Sequence, residues 1–323
     1  MITTVAMTAV LLPTQAAKPA LTLTRTKTME GVRAVELSSS PVDSRFIACL
    51  ENNQVRIMDA AGKLASVTLV GHKQPAYAAA FSPDGKQVLT GDEQARIILW
   101  DAKTGKLIRE FSRDKGHRRG IQSFSFSPDG KQFMSVGKDD VLLVWNLSGG
   151  HPVTRVNGEP TNFFGAQYAP TGAVFTGTQV EGMRVLAPKT LSTVAKLILP
   201  GGQGANGFAM NKAGTLGVTC GRDGIVTVYD LKKRTRLMGM KGHADYVTSA
   251  QFTPSGKFVA SGSIDGKVIV WDVKSYKKVT EIDDRSYVGT PVAFTGDGRF
   301  LVSLNAFDTV EIHQVSPPQP AGK

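Results

Sequence analysis

The chain has 323 residues, 41% of them apolar, with 34 glycines, 16 prolines and two cysteines. That is enough apolar material for a large core and too little cysteine for a disulfide framework. The net charge of +11, from 38 basic and 27 acidic residues, favours acidic partners or anionic surfaces, and it bears on association and solubility rather than on fold.

The first 17 residues carry no charged side chain and contain the apolar run Val5 to Leu12. A membrane span needs about 18 apolar residues or more, so this run is too short to be one, and no transmembrane segment is expected. It reads as a signal-peptide core, with Thr14 and Ala16 as small residues at a cleavage site. Because no Lys or Arg precedes it, the other reading is a disordered leader. The first reading places the protein in a periplasm or outside the cell, the second in the cytoplasm. Residues 18–315 are expected to form one repeat domain, and the Pro-rich tail, 316–323, a disordered end.

Beyond the leader, one register organises the chain. Met58, Trp100, Trp145, Leu186, Tyr229, Trp271 and His313 each close a similar apolar strand, at intervals of 42, 45, 41, 43, 42 and 42 residues. Such a repeat is one supersecondary unit copied, and the copies must stack because none can bury its own apolar face. We number the copies one to seven by these residues. Ahead of copy one, Leu21 to Lys27 alternates as a strand with no copy of its own. Cys49 and Cys220 each lie nine residues before the closing residue, in copies one and five. Equivalent slots three copies apart cannot bring α-carbons within the ~7 Å a disulfide needs, so two free, buried thiols are expected.

Copies two and three contain the turn FSPDGK, at Phe81 to Lys86 and Phe126 to Lys131. Weaker versions stand at Ala169 to Gly172, Asn211 to Gly214 and Thr295 to Gly298. Copy six, Gly242 to Ile282, is the clearest to read. Val247 to Phe252, Phe258 to Ser261, Val268 to Trp271 and Lys278 to Ile282 are short runs rich in β-branched and aromatic residues. Pro254, Ser255 and Gly256 turn the chain after the first run, and Asp265-Gly266 makes a hairpin after the second. Four strands in each of seven copies predict an all-β chain, a seven-bladed β-propeller of four-stranded antiparallel blades.

The chain resembles the WD40 repeat family. Gly71-His72, Gly116-His117 and Gly242-His243 pair with Trp100-Asp101, Trp145-Asn146 and Trp271-Asp272, and each His precedes its Trp by 28 residues. The resemblance covers about Leu21 to Val315, with copies two, three and six strong, and the FSPDGK turn is similar to that of bacterial members. In the family an N-terminal strand closes the ring. Copy seven has only three strands of its own, so Leu21 to Lys27 is expected to complete it and remove two sheet edges.

Copies three and six contain His117, Ser135 and Asp139 with Trp145, and His243, Ser261 and Asp265 with Trp271. Read as Ser-His-Asp triads, these would suggest a hydrolase. Their recurrence at fixed offsets from a core Trp suggests a buried polar network instead, and the resemblance implies a structural hydrogen-bond relay of these four residues. Copy two keeps His72, Thr90 and Trp100 but has Gln94 in the Asp slot, and copy five keeps Thr219 and Asp223 but has Gly201 in the His slot. No HExxH, CxxC or EF-hand pattern occurs, and Gly201 to Gly207 lacks the GK[ST] ending of a phosphate loop. No catalytic residue, metal or cofactor is expected.

Two basic clusters, Arg113, Lys115, Arg118 and Arg119, and Lys232, Lys233, Arg234 and Arg236, fall on opposite ends of a propeller and make no continuous phosphate-tracking stripe, which counts against nucleic acid. The resemblance places partner binding on the face of the inter-blade loops, at the residue before each first strand and the residue before each turn Asp. Those slots hold Arg33, Pro75, Gly120, Asn162, Gly204, Tyr246 and Val288, and Glu51, Glu93, Lys138, Gln179, Arg222, Ile264 and Ala306. Arg33, Lys73, Arg118, Asn162, Arg222, Tyr246 and Tyr287 are the candidate contact residues, since Tyr and Arg are the usual anchors of interfaces. The expected function is a monomeric, non-enzymatic scaffold binding a protein or peptide. The alternatives are a propeller binding an anionic ligand or nucleic acid and, further off, a propeller hydrolase or lactonase.

Overall fold

The computed structural model describes residues 21–158, 163–178, 182–187, 190–198, 205–286, 291–305 and 309–316. The leader at 1–17 and the tail beyond 316 lie outside them. The described residues form 27 β-strands. Copies two to six are each one four-stranded antiparallel sheet with strands in chain order, and the strands of copies seven and one share a seven-stranded sheet. Copy six runs Val247–Phe252, Phe258–Ser263, Gly266–Asp272 and Lys278–Ser286, within two residues of the sequence expectation except that the fourth strand runs four residues on.

Each strand has a composition suited to its place. Second strands such as Gln132–Gly137 are buried after their first residue, whereas fourth strands such as Pro152–Asn157 alternate half-buried with exposed, as an outermost strand facing water must. Turns between first and second strands need a positive φ, and Gly85, Gly130, Gly172, Gly214, Gly256 and Gly298 supply it. In copy two the Ser82 hydroxyl donates to Asp84 at 2.6 Å and accepts from the Gln87 amide, locking the reversal.

Seven apolar clusters lie between successive copies. Leu89, Leu99 and Phe111 of copy two meet Phe133, Leu143 and Trp145 of copy three, with the Phe133 and Trp145 rings stacked at 5.8 Å. Phe46, Leu50 and Met58 of copy one meet Val302, Val310 and Ile312 of copy seven. Leu21 enters the cluster between copies six and seven, against Val268 and Val270. Burying each such side chain contributes about 1.5–3 kcal/mol.

The N-terminal strand differs in extent from the expectation. Thr22 to Lys27 is the start of one 18-residue strand, Thr22–Ser39, with Leu21 just ahead of it. Its first part pairs with the last strand, Thr309–Ser316, from Thr22↔Ser316 to Arg33↔Thr309. Its second part, from Ala34↔Leu50 to Ser39↔Phe46, is the first strand of copy one. Copy seven thereby has its fourth strand, and the strand runs on through Gly31 to Ser39 with an irregularity between Met29 and Arg33. At the other end of these strands the Gly296 amide donates to the Asp43 carbonyl, 3.0 Å, and a Cβ on Gly296 would collide with the backbone of Pro41.

Because the strands alternate in direction, first-to-second and third-to-fourth turns share one end of the molecule, the turn end. Second-to-third turns and the links between copies share the other, the link end. Both cysteines are free and buried, Cys49 among the residues packed between copies one and two and Cys220 among those between five and six. Burial pushes the Cys220 thiol up to about 12 and the Cys49 thiol well above its usual range.

Candidate functional site

The polar side chains singled out in copies three and six come together. Trp145 Nε1 donates to Ser135 Oγ at 2.8 Å, Ser135 Oγ lies 2.7 Å from His117 Nε2, and His117 Nδ1 lies 2.8 Å from Asp139. In copy six the same contacts are 2.8, 2.8 and 3.0 Å. An indole N–H can only donate, so the serine oxygen accepts, its own proton goes to Nε2, and Nδ1–H donates to the carboxylate. Asp139 and Asp265 then accept the amides of Arg118 and Ala244, which fastens the link to the turn. Burial opposes ionisation of Asp265, but the Ala244 amide and the His243 side chain outweigh it and hold its pKa below the usual range. Burial lowers the His243 pKa against the pull of Asp265. Both serines are fully buried, so neither hydroxyl meets solvent.

Copy two corrects the sequence reading. Gln94 is not the relay position: Asp92, two residues earlier, stands 2.8 Å from His72 Nδ1, while Thr90 Oγ1 stands 2.6 Å from Nε2 and accepts from Trp100 at 2.7 Å. Asp92 is buried at the end of the second strand. The equivalent residue of copy three is Gly137, where a Cβ would collide with His117 Nδ1; a side chain at this place points at the imidazole, and copy two uses it for the carboxylate. Copy five lacks the histidine-to-aspartate chain among the described residues. Thr219 Oγ1 and the Tyr229 hydroxyl are buried near each other without a well-formed hydrogen bond, and Asp223 accepts from the Ile225 amide. Gly201 lies outside the described residues.

Copy seven builds something else. His313 and Glu311, each 2% exposed, occupy places held in copy six by Trp271 and Ile269. Arg25 of the N-terminal strand reaches Glu311 at 3.0 Å, Asn305 donates to the same oxygen at 3.2 Å, and Ser303 lies 3.2 Å from His313 Nε2. Burial drives the His313 pKa down to about 4.

At the link end the two slots named for partner contact prove adjacent. The carbonyls of Arg33, Pro75, Gly120 and Tyr246 accept from the amides of Glu51, Glu93, Lys138 and Ile264 at 2.8–3.2 Å, so the slots form one belt. Arg33 pairs with Glu51 at 3.7 Å. The Arg222 guanidinium lies 6.0 Å from the centre of the Tyr246 ring, which is 45% exposed. Lys73 and Arg118 are exposed at separate places along the belt. Asn162 and Tyr287 lie outside the described residues, as do Gly204, Val288, Gln179 and Ala306. Sequence reasoning missed Tyr77, which is 37% exposed and has Lys138 Nζ 5.0 Å over its ring while Lys138 pairs with Glu93 at 2.7 Å. Its signal was an aromatic among the small residues of AYAAAF.

The family model described as "WD domain, G-beta repeat" matches residues 64–101, 105–146 and 234–272. These are copies two, three and six, the three in which the His, the Ser or Thr, the Asp and the Trp are joined. The chain carries WD40 repeats. WD40 repeats generally mediate protein–protein interaction and are generally non-enzymatic. Among the described residues no three His, Cys, Asp or Glu side chains are placed to hold a metal ion. No helix among them is long and apolar enough to cross a membrane.

Proposed function

We propose that residues 18–315 form a closed seven-bladed propeller and that it is a scaffold without enzymatic activity, binding a protein or peptide on its link end. Support for closure comes from the N-terminal strand pairing with the last strand, the apolar cluster between copies seven and one, and the bond from Gly296 to Asp43. Support for the binding face comes foremost from the belt, in which Arg222 over Tyr246 offers a preformed aromatic-cation pair. Sheet ladders hold the belt in place, so docking loses little conformational entropy. The net charge of +11 favours an acidic epitope over a basic one. The relay in this reading is structural: it ties links to strands and keeps the belt in position.

The test is affinity capture with the native protein and an Arg222→Ala, Tyr246→Ala double variant, each quantified by mass spectrometry. Loss of specific partners in the variant is expected; an unchanged set would sink the proposed face. N-terminal sequencing of the mature chain decides between export with cleavage near residue 17 and a retained leader.

A further inference from the structure

The turn end carries a concavity of about 400 Å³ lined by residues of copies one to five, from Pro41 through Phe124, Tyr168 and Met210 to Lys212. A cavity shared by five copies can only lie where their innermost strands converge. Its volume lies within the range of ligand sites, and such sites combine an apolar floor with a few polar groups. Phe124, Phe126, Tyr168 and Met210 supply the floor. Prolines 41, 83, 128 and 170, from successive turns, supply a rim that does not need to be ordered on binding.

Charge singles out one side of this bowl. The turn of copy five departs from the others, with Lys212 where copies one to four and six have proline and Ala213 where copies two, three and seven have aspartate. Lys212 is exposed, is the only charged residue of the lining, and meets no ion-pair partner among the described residues. The nearby turn carboxylate, Asp129, accepts from the Ser127 hydroxyl and the Lys131 amide, which fixes it in its own turn. Burial, with the Asp129 charge adding to it, pushes the Tyr168 phenol up to about 12, so it stays a donor at neutral pH. The lining therefore offers an aromatic floor, a hydroxyl donor and, at Lys212, one cation without an ion pair, with the carboxylate on the Tyr168 side.

We propose that this bowl is a second docking site, at the opposite end from the belt, for a peptide segment presenting an aromatic side chain next to a carboxylate. The ring enters between Phe124, Tyr168 and Met210, and the carboxylate pairs with Lys212. The site does not depend on the link end being a binding face.

The test is a ligand-observed NMR titration with the capped peptide Ac-Gly-Phe-Glu-Gly-NH2, its Gln counterpart and its Ala-for-Phe counterpart, at low salt. The Phe-Glu peptide should bind about threefold more tightly than Phe-Gln, the size expected of an exposed ion pair. The Ala counterpart should not bind. In Lys212→Ala the preference for Glu should vanish, and Gln167→Trp, which fills the bowl from its lining, should abolish binding. The Arg222→Ala, Tyr246→Ala variant should bind as wild type. Equal binding of the Glu and Gln peptides, no binding of the Phe-Glu peptide, or full binding by folded Gln167→Trp would each overturn the proposal. Lys212 is an exposed turn residue, so its variant carries the test even if Gln167→Trp does not fold.

Discussion

A Cβ on Gly71 would stand 2.9 Å from Trp100 Cη2, and one on Gly242 would stand 2.8 Å from Trp271 Cη2. In copies two and six the glycine before the relay histidine is thus required because the link passes directly over the indole; in copy three Gly116 faces the backbone of Ser112 and Arg113 instead. Gly242→Ala should destabilise by about 1–3 kcal/mol through overpacking, read as a shift of the denaturation midpoint. At the relay itself, Asp92→Ala strands a buried histidine and should cost about 1–3 kcal/mol. Gln94→Ala, on the surface, should stay within about 0.5 kcal/mol. Equal effects at the two positions would refute the assignment. His243→Ala should cost as much as Asp92→Ala, and an unchanged midpoint there would show that the relay does not stabilise the fold. The spacing of six residues before Trp, shared by Asp139 and Asp265, pointed to Gln94. Asp92 was not legible because a carboxylate eight residues before Trp reaches the imidazole only through the geometry of the strand end. His313 adds a pH dependence. Its folded pKa of about 4 lies below the ordinary 6.5, so between these values the unfolded chain binds a proton that the folded one refuses. Stability is full above about pH 6.5 and falls as pH drops toward 4, by up to about 3 kcal/mol. Glu311 opposes this shift and Arg25 adds to it. Denaturation midpoints at pH 7 and 4.5 should differ less in His313→Gln than in wild type.

Among the strands, the first carries the most consequence because it serves two copies. Deleting residues 1–28 removes its pairing from Thr22 to Thr28, the Arg25–Glu311 ion pair and the buried Leu21. That deletion should sharply reduce soluble folded protein, whereas deleting 1–17 should not. Soluble yield and thermal midpoint check both. The strand was legible as Leu-Thr alternation beside a copy that lacked a fourth strand. Its continuation to Ser39 was not, since residues 28–33 break the alternation and Gly31 reads as a turn, whereas the strand passes it with a register shift between Met29 and Arg33. The second strands hold both thiols behind complete burial, so a thiol reagent should leave Cys49 and Cys220 unmodified in the native state and label both after denaturation. Rapid native labelling would contradict the packing between copies.

For the whole molecule, the repeat register made the fold legible because stacking alone requires apolar strands at one spacing. The partner was not legible, because binding resides in what the copies do not share. Arg222 meeting Tyr246 shows the point: each was a plausible loop residue, and only the packing of copy five on copy six brings cation and ring together. Tyr77 and Lys138 met in the same way without having been singled out as contacts. Both pairs depend on adjacent copies stacked in a fixed orientation, and the proposed closure of the ring would hold that stacking. The direct measurement is a crosslink between Thr24→Cys and Gln314→Cys, exposed residues that face each other across the first and last strands. Directly opposed residues of an antiparallel pair have α-carbons about 4.5–5.5 Å apart, within disulfide reach. Closure predicts a quantitative intramolecular disulfide on mild oxidation and a raised thermal midpoint. Free thiols, or crosslinks only between molecules, would contradict it.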